Sequence, residues 1–152
     1  MEDGRTRDGA DDRVLTATRT VAAALLVAVL VLAAIAYRIS PGTGDFRVLV
    51  IPAALAGLVS PVIAYRLYSV LGARTSPDAA LGVRCDAFQR VTVVALAVTA
   101  GAALFGIATY AMSSDLAAMT GVVTHVLLSG AIWPSRVRLE SYLDSGPPWG
   151  EA

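Results

Sequence analysis

Apolar residues fall into four long runs, 21–36, 48–65, 91–112 and 116–133, and no Asp, Glu, Lys or Arg stands inside any of them. Each run is close to the ~20 residues that a helix needs to cross ~30 Å of hydrocarbon. The pattern predicts an all-α fold: a four-helix transmembrane bundle made of two helical hairpins, with spans at about 20–37, 47–66, 90–112 and 116–133. Residues 1–12 are polar and rich in Gly and Asp, so a disordered N-terminal tail is expected there. Residues 13–134 then form one membrane domain, and 135–152 a cytoplasmic C-terminal tail.

Residues between the runs punctuate this pattern. Asp11 or Asp12 can cap the first helix, Arg13 and Arg19 can snorkel to headgroups, and Tyr37 suits the opposite interface before Ser40-Pro41-Gly42 turns the chain. The second helix is expected to start near Asp45. Inside it Pro61 removes a backbone hydrogen bond and predicts a bend, with Ser60 placed to bond the freed backbone. Ser76-Pro77-Asp78 has the cap, proline and acid of a helix start, so the third helix is expected to begin there. Ser113-Ser114-Asp115 is a turn short enough to make helices three and four antiparallel neighbours. After Trp133-Pro134, the residues Val137, Leu139, Tyr142 and Leu143 among Arg136, Arg138 and Glu140 predict a short interfacial helix. The first and third runs also echo each other, Arg19-Thr20-Val21 with Arg90-Val91-Thr92 and Ile35-Ala36-Tyr37 with Ile107-Ala108-Thr109-Tyr110.

Composition agrees with a lipid environment. Hydrophobic residues are 56 % of the chain and mean hydropathy is +0.65, above the range of soluble domains. Formal net charge is zero, so no nucleic-acid partner is expected. All twelve basic residues are Arg, and with the Ala and Val bias this suggests a GC-rich prokaryotic genome. If both termini are cytoplasmic, ten arginines lie on the inner side and two outside, which is the positive-inside bias of a multi-pass protein of the cell (inner) membrane. The first run has the outline of a signal peptide ending in the small residues Ala33-Ala34-Ile35-Ala36. Its length and the five acids ahead of it predict a retained helix. Cys85 is the only cysteine, so an intramolecular disulfide is excluded.

His125 is the one titratable side chain near mid-membrane, the usual place to look for function. It can be a proton-relay or cofactor-ligating group, or a neutral histidine bonding a carbonyl or Thr across the helix pair. The second role is expected, because no other His and no carboxylate lies in the runs. Ala117, Gly121, His125 and Ser129 recur every four residues. Counting equally from a turn centred on Ser114 places His125 beside Ala102 and Ala103, Ser129 beside Thr99, and Gly121 beside Gly106 or Ile107. Ala97-Gly101 and Ala102-Gly106 repeat the four-residue spacing of small residues that lets membrane helices approach closely. The candidate polar site is therefore His125, Thr99, Ser129 and Thr124. The helix-packing set is Ala97, Gly101, Ala102, Gly106, Ala117 and Gly121, and the hinge is Ser60 and Pro61.

No HExxH, GxSxG or paired cysteine occurs, so proteases, lipases and thiol oxidoreductases lack their usual parts. No acid stands in the runs to carry protons or sodium. Ala95-Leu96, Gly101-Ala102-Ala103-Leu104-Phe105-Gly106, the short turn and Trp133-Pro134-Ser135-Arg136-Val137-Arg138-Leu139-Glu140 resemble a loose class of small bacterial membrane proteins. The four spans of that class are similar to two hairpins of the rotary ATP synthase ring subunit. The likeness covers roughly residues 86–143 and implies fold and location. The Glu that such hairpins carry before Gly-Ala-Ala-Leu-Phe falls here at Thr99 or Ala100, so ion binding is not implied. The expected function is a non-enzymatic membrane scaffold or accessory subunit, without cofactor or metal. It would associate through small-residue faces with itself or with a larger membrane complex. The alternative is a small oligomeric transporter or channel lined by Thr92, Thr99, Thr109, Thr120, Thr124, His125 and Ser129.

Overall fold

The structure is a computed structural model that describes residues 3–39, 46–76 and 79–145, and every regular element among them is helical. Helix α1 spans Asp3–Ile39, α2 Val50–Ala73, α3 Leu81–Ser113, α4 Thr120–Ala131 and α5 Arg136–Ser145. Single 3-10 turns, Phe46–Leu49 and Leu116–Met119, lead into α2 and α4. At about 1.5 Å per residue, α1, α2 and α3 reach roughly 56, 36 and 50 Å, each longer than the ~30 Å of a hydrocarbon core. These three helices are long and apolar enough to cross a membrane.

The fourth expected span, 116–133, is shorter than the sequence suggests. Leu116–Ala131 is helical, then the chain bends by 72° into Arg136–Asp144. Pro134 accounts for the stop, because it cannot donate to the helix and restricts the residue before it. Ser135 restarts the chain by accepting from the Arg138 N–H at 3.3 Å, the bond of an N-cap.

Helix α3 is the hub. Helices α1, α2 and α4 all pack on it, whereas α1 and α2 make no contact with each other among the described residues. The expected first hairpin is thus open, with α1 and α2 on different sides of the α3–α4 pair. Two buried clusters mark the ends. Leu15, Cys85, Phe88, Val91, Leu139, Tyr142 and Leu143 gather at one, and Val29, Ala36, Ala53, Ala100, Ala103, Ile107, Tyr110 and Ala118 lie toward the other. Helices α1 and α3 therefore run parallel. The tyrosines of their echoed motifs meet, Tyr37 stacking on Tyr110 with centroids 6.2 Å apart.

Three further expectations change. Residues 3–12, expected as a separate tail, belong to α1, which starts at Asp3. Helix α3 starts at Leu81 with Ala80 as its cap residue, not at Ser76. The Ala79 N–H donates to the Ser76 carbonyl at 3.0 Å, closing a separate turn that the extended Ala80 ends. Helix α5 forms, but its apolar residues Leu139, Tyr142 and Leu143 are covered by protein, while Val137 alone stays 75 % exposed. Ser40-Pro41-Gly42, Asp45, Pro77 and Asp78 lie outside the described residues.

Large apolar side chains point outward from every long helix, among them Val31 and Ile35 on α1, Leu55, Leu58 and Val62 on α2, Leu104 and Phe105 on α3, and Leu127 on α4. Soluble monomers rarely expose contiguous apolar surface on this scale, whereas lipid-facing helices require it.

Candidate functional site

The polar side chains nearest the middle of the bundle come from α3 and α4. His125 is wholly buried, and its Nδ1 lies 2.9 Å from Thr99 Oγ1, also buried. The Thr99 hydroxyl donates to the Leu96 carbonyl at 3.1 Å. A hydroxyl has one hydrogen, so while it bonds Leu96 it accepts from a protonated Nδ1, and when it turns to His125 it donates to a bare Nδ1. In either tautomer Nε2 meets no partner among the described residues. Ser129, one turn further along α4, is equally buried, and its hydroxyl is likewise unpartnered among the described residues. The Thr124 hydroxyl, half-buried, is taken up by its own helix, donating to the Gly121 carbonyl at 3.0 Å.

The register differs from the sequence expectation by about one turn. His125 meets Thr99 rather than Ala102 and Ala103, and Gly121 lies against Ala102 and Ala103 rather than Gly106. Counting from Ser114 assumed an equal rise on both arms. Ser114 instead takes the left-handed conformation (φ 55°), Asp115 is extended (φ −93°, ψ 116°), and Leu116–Met119 is a 3-10 turn. Extended and 3-10 residues advance about 3.3 and 2.0 Å against about 1.5 Å along α3. The descending arm therefore reaches a given depth in fewer residues.

Glycines bring three backbones together beside this pair. A Cβ on Gly121 would stand 2.6 Å from the Ala102 carbonyl oxygen and 3.0 Å from Ala103 Cα. One on Gly57 of α2 would stand 2.5 Å from Gly121 N, and one on Gly106 would collide with the Ala118 carbonyl. Helix α4 is thus held between α2 and α3 by residues without side chains. Ala97, Gly101 and Ala117 of the expected packing set are exposed, with open space around Gly101. Gly57 was not in that set. The same four-residue spacing, Ala53 to Gly57, was its signal, and both are buried.

Four residues past Gly57 stands Pro61, half-buried inside α2. Its missing N–H would have met the Gly57 carbonyl, and Ser60 Oγ donates to that carbonyl instead at 3.0 Å. At the arginine-rich end, Arg19 Nε donates to the Pro134 carbonyl at 2.8 Å, tying α1 to the α4–α5 corner. Arg84 donates to the carbonyls of Tyr142 and Leu143, which places a cation at the negative end of α5. Tyr142 packs edge-on against Phe88, with centroids 5.6 Å apart, and burial raises its phenol above the ordinary range.

No three His, Cys, Asp or Glu side chains gather where they could hold a metal ion among the described residues. The Thr99–His125–Ser129 line offers hydrogen-bonding capacity from two hydroxyls and one imidazole. Comparison with protein-family models, curated proteins and solved structures finds no match. The likeness of residues 86–143 to ring-type hairpins therefore stands on its motifs alone.

Proposed function

We propose that this chain is a four-span membrane protein with a short fourth span and both termini cytoplasmic, acting as a non-enzymatic scaffold or accessory subunit. The observation that carries the reading is on α3. This helix is packed by three others, yet Ala97, Gly101, Leu104 and Ala108 form one exposed stripe along it. In lipid, helices associate by close van der Waals approach, and a small-residue stripe on the most buried helix offers that approach to a further helix. The orientation is supported by Leu15 of α1 and Tyr142 of α5 sharing one cluster, at the end where Arg19, Arg74, Arg84, Arg90, Arg136 and Arg138 reside.

Gly101→Cys in a Cys85→Ala background tests this in native membranes. Oxidation should join Gly101→Cys into one discrete adduct, with a second copy or another subunit, while Val62→Cys on the outer face of α2 gives none. Gly101→Leu should abolish the association and leave thermal stability unchanged. No adduct at Gly101→Cys, with native behaviour of Gly101→Leu, overturns the reading.

The transport alternative draws support from the unpartnered groups of His125 and Ser129. Against it, Thr99, Thr120 and Thr124 spend their hydroxyls on carbonyls of their own helices. Solute flux into liposomes holding only this protein, lost in His125→Ala, would select the alternative.

A further inference from the structure

A groove crosses the arginine-rich end, from the last turn of α2 over the first four turns of α3. It is formed by two adjoining depressions. One, of about 360 Å³, is lined by Leu71, Arg74, Thr75, Asp86, Arg90 and Val91 among others. The second, of about 440 Å³, shares Asp86 and Arg90 and continues over Gln89, Val93 and Val94. Arg90 stands between them, at the point where the apolar run 91–112 begins. The groove therefore grades along its length, from Arg74, Thr75 and Arg90 at the polar end to Val93 and Val94 one turn deeper. Neither arginine forms an ion pair among the described residues.

That gradient matches the headgroup and first acyl segments of a phospholipid in polarity, and basic pockets at the cytoplasmic surface suit anionic headgroups. We propose that the groove binds an anionic phospholipid, its phosphate held by the Arg74 and Arg90 guanidiniums, its first acyl segments lying over Val93 and Val94. Two guanidiniums against the single carboxylate of Asp86 leave the groove one positive charge. A headgroup carrying its own ammonium would bring a cation toward both arginines and find only Asp86 to receive it. Asp86 thus sets how strongly anionic lipid is preferred. The proposal rests on the membrane location of the chain and is independent of any partner at Ala97 and Gly101.

The test uses the full chain in mild detergent with equimolar phosphatidylglycerol and phosphatidylethanolamine, reading the two lipids retained by native mass spectrometry. Phosphatidylglycerol should be retained in excess. Arg74→Gln and Arg90→Gln should each lower the ratio about fivefold, the factor that a basic residue contributes near a membrane surface. Asp86→Asn should raise the ratio, and Arg136→Gln on α5, exposed and paired with Glu140, should leave it unchanged. Equal retention of both lipids by the native chain, or the same loss in Arg136→Gln, would overturn the proposal. Release of bound lipid by added inorganic phosphate would instead identify a site for free phosphate and overturn the lipid assignment. A chain that stays monodisperse without detergent fails differently, since that outcome removes the membrane itself.

Discussion

Replacing Gly121 with alanine tests the helix arrangement at its tightest point. One methyl at this position would sit 2.6 Å from the Ala102 carbonyl oxygen and 2.8 Å from its carbon, both backbone atoms that cannot rotate away. Van der Waals contact needs nearly another ångström, so α4 must move off α3, and it is backed by Gly57 of α2 at similarly short range. Overpacking of this kind costs about 1–3 kcal/mol. Alanine regains roughly 0.5–1 kcal/mol of helix propensity. The net expectation is a loss of about 1–2 kcal/mol, or a fall in Tm of roughly 3–6 °C for a chain of this size. Gly101→Ala and Gly130→Ala serve as internal controls, because a Cβ at either meets nothing within 4 Å. They should be neutral or slightly stabilising. The assay is thermal unfolding in detergent followed by tryptophan fluorescence, with Trp133 reporting on the α4–α5 corner. Gly57→Ala should cost a similar amount. The double variant should cost less than the two together, because both press on one interface. If Gly121→Ala is as stable as Gly101→Ala, the three-backbone contact is wrong.

Other consequences are equally specific. A double-mutant cycle of Thr99→Val and His125→Ala should return a coupling of about 0.6 kcal/mol, and no more than ~1.7, the range for hydrogen bonds between membrane helices; zero coupling would deny the bond. Ser60→Ala should destabilise the native chain yet be nearly silent in Pro61→Ala, whose restored N–H satisfies the Gly57 carbonyl in its place; equal costs in both backgrounds would refute the substitution of hydroxyl for amide. Arg84→Met should release α5 from α3, seen as faster amide exchange over residues 136–145 with the spans unaffected. Burial holds the Tyr142 phenol above its ordinary range, offset in part by Thr75 and Arg84. Its folded value lies above the unfolded one, so the stability it contributes is intact below the ordinary phenol range and declines as pH rises through it. Tyr142→Phe should remove that alkaline decline.

Several of these features were legible in the chain before any geometry. Uninterrupted apolar runs located α1, α2 and α3, because within a single segment of this length a helix satisfies its own backbone groups in hydrocarbon. Pro61 beside Ser60 announced its own repair. His125 was expected to bond a carbonyl or Thr across the helix pair, and Thr99 is the residue it meets. The pairing of α3 with α4 slipped because a residue count carries no information on rise, and Ser114 to Met119 descends faster than an α-helix. Likewise Ser76-Pro77-Asp78 is a sound local start signal, yet the turn closed by Ser76 and Ala79 comes before the helix. Small residues four apart occur on several faces of so alanine-rich a chain. Which faces close on another backbone, as Gly57, Gly106 and Gly121 do, and which stay open, as Ala97 and Gly101 do, depends on where α1 and α2 settle around α3.

Cysteine accessibility in intact cells tests the central claim most directly. In a Cys85→Ala background, Leu58→Cys and Leu127→Cys on the outward apolar surface should resist a membrane-impermeant maleimide from either side. Ser141→Cys on α5 should react only after permeabilisation, and Arg38→Cys at the far end of α1 without it. Labelling of Leu58→Cys and Leu127→Cys at the rate of Ser141→Cys would mean that water, not lipid, surrounds these helices.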